Sequence, residues 1–168
     1  MVKEKFDDKH ILKDIFSKSL ELADPAKKIE KIKFDPPAGR LFFVAVGKGA
    51  GRLANSFKKT YRGKADGIVV IPENEKCYEL GFEVIKATHP IPSKRGLDAS
   101  LKILKAISKL GKDDLLIFCI SGGASALLPL PPEGFALEDE IQLNKILLGS
   151  GLSIKEMNLY RGLFSQIK

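Results

Sequence analysis

The chain has 168 residues, 44% of them hydrophobic and 29% charged, with a formal net charge of +7 at pH 7. That length supports one domain with a real core, burying roughly 70% of the surface its unfolded form exposes, and leaves little room for two. No apolar run approaches the roughly 20 residues of a membrane span. The start, Met1-Val-Lys-Glu-Lys-Phe-Asp-Asp8, has no apolar signal-peptide core, so a cytoplasmic location is expected.

The positive balance suits nucleic acid, an acidic surface or small anions. Lysines such as Lys102, Lys105 and Lys109 are spread along helix faces, without an arginine cluster or an aromatic stacking motif, so neither nucleic acid nor membrane is expected as a partner. Cys77 and Cys119 have no metal-ligand spacing, and Cys119 sits where a strand wants a small hydrophobe. Neither thiol is read as functional, and no metal-ligand set emerges.

The first helix is expected from Phe6 to Ala23, with Ile11, Leu12, Ile15, Phe16, Leu20 and Leu22 on one face and Asp24-Pro25 as its stop. Lys27 to Gly39 reads as a charged connector. Leu41 to Val46 is a buried strand that runs into Gly47-Lys-Gly-Ala-Gly51. Ala50, Leu53, Ala54, Phe57 and Tyr61 then form a helical stripe that packs back on the sheet. Strands follow at Gly67 to Ile71 and at Phe82 to Ala87, the latter alternating as a half-exposed or edge strand does.

Beyond the stiff Thr88-His-Pro-Ile-Pro92 loop, Ser93 caps a helix whose buried stripe is Leu97, Leu101, Leu104, Ile107 and Leu110, with Gly111 as its stop. After the Asp113-Asp114 turn, Leu115-Leu-Ile-Phe-Cys-Ile-Ser-Gly-Gly-Ala-Ser125 is a buried parallel strand ending in two hydroxyls and two glycines. A short Ala126-Leu-Leu segment, the Pro129 to Gly134 loop and a helix over Leu137 to Leu148 come next. The acidic run Glu138-Asp-Glu140 complements that helix's dipole. Ser153-Ile-Lys-Glu156 is a capping box that opens the last helix. This alternation predicts an α/β layered fold with a mainly parallel sheet.

In such a sheet both glycine-rich tips, Gly47-Lys48-Gly49 and Ser121-Gly122-Gly123-Ala124-Ser125, face the carboxyl edge where ligands bind. The second tip is either an anion-binding nest at a helix start or a ligand-free turn. Lys48, between glycines, is either a mobile cation for a phosphoryl or carboxylate oxygen or a solvated surface lysine. The string is not a P-loop, because Phe42 and Gly49 occupy positions that G-x-x-x-x-G-K-[ST] gives to glycine and a hydroxyl. As G-x-G-x-G it has Arg52 where the dinucleotide fingerprint wants glycine or alanine, and Asp66 precedes the second strand instead of following it. A lone His89 with no carboxylate near it in sequence reads as a loop hydrogen-bonder. Asn158, Arg161 and Ser165 share one face of the last helix, as an anion clamp or as an exposed polar stripe.

Four motifs in order resemble the type II glycerate kinases. They are Val46-Gly-Lys-Gly-Ala50, His89-Pro-Ile-Pro92, Ser121-Gly-Gly-Ala-Ser-Ala-Leu-Leu-Pro129, and Gly151-Leu-Ser-Ile-Lys-Glu-Met-Asn158 leading into Arg161 and Ser165. The resemblance spans essentially the whole chain, residues 1–168. It implies a Rossmann-like three-layer N-terminal domain that faces a second domain across a cleft, in proteins more than twice this long that continue past Lys168. By resemblance, the activity is ATP-dependent phosphorylation of D-glycerate to 2-phosphoglycerate with Mg²⁺. It implies that Lys48 and Arg161 are catalytic. Gly47, Gly49, His89, Ser121, Gly122, Gly123, Ser125 and Asn158 would bind substrate or phosphate. Two departures stand out: Gly162-Leu-Phe-Ser165 replaces a common Lys-His-Leu-Ser, and Ala124 replaces a third glycine.

The leading expectation is therefore the N-terminal part of a glycerate kinase, inactive when isolated, its cleft completed by a C-terminal domain or a homo-oligomer. One rival is an NAD(P)-dependent hydroxypyruvate reductase, resting on the glycine string. The other is a non-catalytic anion-binding module.

Overall fold

The structure is a computed structural model that describes residues 8–76 and 81–168. Phe6, at the expected start of the first helix, and Cys77 lie outside the described residues. In chain order the elements are α1 (Asp8–Ala23), α2 (Pro25–Ile29), β1 (Leu41–Val46), α3 (Ala50–Thr60), β2 (Ala65–Pro72), β3 (Glu83–Ala87), α4 (Lys94–Ile107), β4 (Leu115–Ile120), α5 (Ala124–Leu127), α6 (Leu137–Gly149) and α7 (Ile154–Leu163).

The strands form one parallel sheet in the order β3-β2-β1-β4. Side chains alternate across it, as a pleated strand requires. Leu41, Phe43 and Ala45 of β1, with Val69 and Ile71 of β2, pack under Leu53, Ala54 and Phe57 of α3. Val44 and Val46, with Ile68 and Val70, pack on the other side against Ala99 and Ile103 of α4 and Leu127 of α5. The result is the expected three-layer Rossmann-like arrangement. Phe57 stacks on Phe43 with centroids 4.4 Å apart and meets Phe34 edge-on at 5.3 Å. Such ring pairs add about 0.5–1.5 kcal/mol to the area they bury.

From β1 the chain steps outward to β2 and β3, then α4 carries it back so that β4 pairs on the other side of β1. The reversal makes a switch point between the carboxyl ends of β1 and β4, where open α/β sheets hold their ligands. Val46 lies beside Ile120 in the register, so the two glycine-rich tips emerge side by side.

Several expectations need correction. No residue of α1 is buried, and its apolar face, Phe16 and Leu20 included, is exposed. Periodicity identified the helix but could not supply a covering surface. The start of the expected connector belongs to α2, which is opened by Pro25 and capped by Asp24, whose carboxylate accepts from the Ala26 amide at 3.1 Å.

On α4 the buried face is Gly96, Ala99, Ser100 and Ile103, while Leu101 is exposed. The helix approaches its neighbours closely: a Cβ on Gly96 would lie 2.9 Å from Pro129 Cδ, so small residues and not the leucine stripe mark the contact. Strand β4 is half-buried at the sheet edge instead of fully buried, and Ile120 is 71% exposed. Burial pushes the Cys119 thiol up, which keeps it protonated and unreactive. Glu140 is not only a dipole complement, because it is buried and pairs with Lys168 at 2.6 Å. The edge character of β3 and the Ser153–Glu156 capping box are as expected. Among the described residues no helix is long and apolar enough to cross a membrane.

Candidate active site

The two strand tips are bonded to each other. Ser121 N–H donates to the Val46 carbonyl at 2.9 Å, and the Lys48 amide donates to the Gly122 carbonyl at 2.9 Å. The Ser121 hydroxyl donates to the Val46 carbonyl at 3.2 Å and accepts from the Gly49 amide at 3.0 Å. Ser121 was expected to face a ligand. Its hydroxyl instead fastens one tip to the other and so fixes where the Lys48 stem begins. Gly47 fills the remaining gap in a left-handed conformation, φ 121°.

The second tip turns at Gly123, φ 88°, while Ala124 opens α5 with a negative φ, which is why alanine is tolerated there. Among the described residues, the Gly122 and Gly123 amides find no acceptor. Two free N–H groups on one turn form an anion-binding nest. The expected help from a helix dipole is small, since α5 is a single turn of four residues.

His89 and Lys48 both lie against this turn. A Cβ on Gly123 would come within 2.9 Å of the His89 ring and 3.5 Å of Lys48 Cε. Burial first, and then the neighbouring Lys48 ammonium, hold His89 below the ordinary imidazole range. At neutral pH the ring is therefore uncharged, with one nitrogen donating and the other accepting. Lys48 is exposed and, among the described residues, has no carboxylate partner.

Arg161 completes the set from α7. It lines a cavity of about 250 Å³ together with His89, Gly123, Ser125 and Asn144. On its other side a more apolar cavity of about 330 Å³ is bounded by Phe118, Ile120, Ser125 and Asn158. Arg161 Nη1 donates to Asn158 Oδ1 at 3.3 Å, so the expected Asn–Arg pair exists. Ser165 does not share their face: α7 ends at Leu163, and the Ser165 hydroxyl accepts from the Ile167 amide at 3.3 Å.

Sequence reasoning missed Asn144, whose Oδ1 accepts from Arg161 Nε at 2.8 Å. An asparagine in a Leu- and Ile-rich helix that also carries Gln142 makes no motif, and only the packing of α6 beside α7 reveals its partner.

Lys48, His89, the Gly122–Gly123 amides and Arg161 thus gather at one sheet edge, with Gly47, Gly49 and Ser121 as the frame beneath. The set is suited to a small acid or a phosphoryl group. It does not suit a metal ion: the side chains gathered are cationic, neutral or amide, and among the described residues no group of three or more His, Cys, Asp or Glu could hold one. Asp66, the acid of a dinucleotide reading, sits near the amino end of β2 opposite Phe42, far along the strand from the ligand edge. It cannot meet a ribose there.

A family profile described as "Domain of unknown function (DUF4147)" matches residues 11–168. A D-glycerate 2-kinase from Thermotoga maritima is 33% identical over 157 residues, which cover 92% of this chain and 38% of that one. A protein from Agrobacterium vitis, provisionally named a hydroxypyruvate reductase, is 34% identical over 161 residues, 95% of this chain and 37% of its own. The crystal structure of a glycerate kinase from Thermotoga maritima superposes with a TM-score of 0.79 at 34% identity, covering 92% of this chain and 38% of that one. The chain spans less than two fifths of the length of these relatives. With its fold, its strand tips and its match over residues 11–168 in agreement, the chain belongs to the DUF4147 family, the N-terminal domain type of the glycerate 2-kinases.

Proposed function

We propose that residues 1–168 form the Rossmann-like N-terminal domain of an ATP-dependent D-glycerate 2-kinase acting in the cytoplasm, with the second wall of its cleft supplied by a further domain. The observation that carries this reading is the free Gly122–Gly123 amide nest at the β1–β4 switch point, with Lys48 lying against Gly123, Arg161 lining the cavity that Gly123 also borders and, among the described residues, no carboxylate partner on Lys48.

Phosphoryl transfer is mostly positioning and charge stabilisation. In this reading the Gly122 and Gly123 amides hold an anionic oxygen, and Lys48 and Arg161 offset negative charge as it spreads over the transferring phosphoryl group. Neutral His89 orients a substrate hydroxyl or carboxylate by a hydrogen bond without adding charge. Ser125 borders this space and the neighbouring cavity, and Asn158 borders the latter. Mg²⁺ would arrive on the nucleotide phosphates, and no step is assigned to it through the residues of this chain.

The test exchanges these residues for the matching segment of the Thermotoga maritima glycerate 2-kinase. Given ATP, Mg²⁺ and D-glycerate, the chimera should form 2-phosphoglycerate, identified by its ³¹P spectrum, whereas the isolated chain should turn over poorly or not at all. Oxidation of NADH or NADPH with hydroxypyruvate, without phosphoryl transfer, would replace the kinase reading by the reductase. Binding of D-glycerate without turnover in the chimera would leave only an anion-binding module.

A further inference from the structure

Arg161 can serve an anion only if its guanidinium is held in the cavity and keeps its charge. Nε donates to Asn144 Oδ1 at 2.8 Å and Nη1 donates to Asn158 Oδ1 at 3.3 Å. A guanidinium has five N–H donors, so these two bonds leave three for a ligand. Asn144 lies on α6 and Arg161 on α7, so the shorter bond also joins two helices.

The Asn144 amide is itself oriented. Its Nδ2 donates to the Glu140 carbonyl, one turn earlier, at 2.9 Å. A carbonyl only accepts and Nε only donates, so a flipped amide would satisfy neither. The Glu140 carboxylate is buried and paired with Lys168 at 2.6 Å, which ties this turn of α6 to the segment after α7.

We propose that Asn144 is a positioning residue of the anion site: its uncharged amide oxygen fixes the Arg161 guanidinium through Nε, leaving the remaining N–H groups, at full positive charge, to the cavity shared with His89, Gly123 and Ser125. The inference rests on the kinase reading, because that reading assigns Arg161 to the anion.

The choice of an amide matters. A carboxylate at position 144 would hold the guanidinium at least as firmly, but it would cancel the charge that a carboxylate or phosphoryl ligand needs. Asn158 repeats the chemistry at Nη1. Among the described residues Arg161 has no acidic partner, so both of its clamps orient it without neutralising it. A fork fixed in advance also loses less side-chain entropy when a ligand arrives.

The test follows the Arg161 Nε–H resonance by ¹⁵N NMR in the 168-residue chain, with D-glycerate and inorganic phosphate as probes. In Asn144→Leu the Nε–H should lose its protection from solvent exchange, and D-glycerate should bind about tenfold more weakly, the worth of one charge-assisted hydrogen bond. In Asn144→Asp the Nε–H should stay protected, at some cost in melting temperature because Asp has no donor for the Glu140 carbonyl, yet affinity should again fall about tenfold because the cation is now paired. A purely structural Asn144 would keep its affinity in the Asp variant. The positioning role is overturned if Asn144→Leu leaves exchange and affinity within about twofold of wild type, or if Asn144→Asp binds D-glycerate as wild type does. If the wild-type chain takes up neither probe, or if Arg161→Leu binds both unchanged, Arg161 holds no anion in this chain and the positioning role fails, whereas the kinase reading stands or falls by turnover of the chimera.

Discussion

A methyl group on Gly47 would sit 2.2 Å from the Ser121 hydroxyl and 2.5 Å from the Ser121 carbonyl oxygen, so no side chain fits between the two strand tips. The backbone there, φ 121°, also disfavours any residue with a Cβ. Gly47→Ala should therefore destabilise the chain by about 1–3 kcal/mol from strain, read as a lower urea midpoint. Ser121→Ala should cost less, about 1 kcal/mol, by leaving the Gly49 amide without its acceptor. If Gly47→Ala melts as wild type does, the contact between the tips is looser than described.

Lys48 leaves this junction with a backbone fixed by Gly122 and an ammonium that, among the described residues, has no carboxylate partner. In the chimera with the Thermotoga maritima kinase, Lys48→Ala should lower kcat for D-glycerate phosphorylation by about 10²-fold or more, the scale of losing one transition-state charge partner. The melting temperature should barely move, because the side chain is exposed. Turnover within a few-fold of the parent would remove Lys48 from the chemistry.

The sheet and the α3 stripe were legible because burial on both faces writes apolar runs, and one-sided packing writes a 3.6-residue period. Ala50, Leu53, Ala54, Phe57 and Tyr61 are all buried as the spacing requires. The two tips were legible because glycines at strand ends serve close approach. Orientation was not. Whether the Ser121 hydroxyl turns outward to a ligand or inward to Val46 depends on the neighbouring strand's register, which a local motif does not contain. On α4 the contact is marked by Gly96, Ala99 and Ser100, and a period counted on leucines misses a face chosen for its smallness. Asn144 gains its meaning only across the α6–α7 contact.

His89 offers a direct reading of the site's electrostatics. Its pKa is held below the ordinary imidazole value near 6.5 by burial and, second, by Lys48, so its proton NMR titration should have a midpoint on the acid side of that value. Lys48→Met removes the smaller cause alone and should raise the midpoint only part of the way. A depressed folded value also means that stability is complete above the ordinary value and declines as pH falls through the folded one. A midpoint above 6.5 in the wild type would mean that the ring does not lie against Gly123 and Lys48.

At the opposite edge of the sheet, Asp114 fastens the starts of β1 and β4. Its carboxylate accepts from the Gly111 amide at 2.9 Å, from the Arg40 amide at 2.6 Å and from the Arg40 guanidinium at 2.9 Å. Those bonds, the Gly111 amide foremost, lower its pKa from 3.8 to about 2. Because the folded value is the depressed one, the stability it contributes is present above 3.8 and is lost as pH falls through about 2. Asp114→Asn removes this titration and leaves an amide that must turn one of its own donors toward another donor. The variant should be less stable than wild type at neutral pH, and the gap in urea midpoint should close as pH is lowered from about 5 toward 2. D-glycerate affinity should not change, since the carboxyl edge lies at the other end of the strands. A gap that stays constant over that pH range would show that the carboxylate charge does not hold this corner.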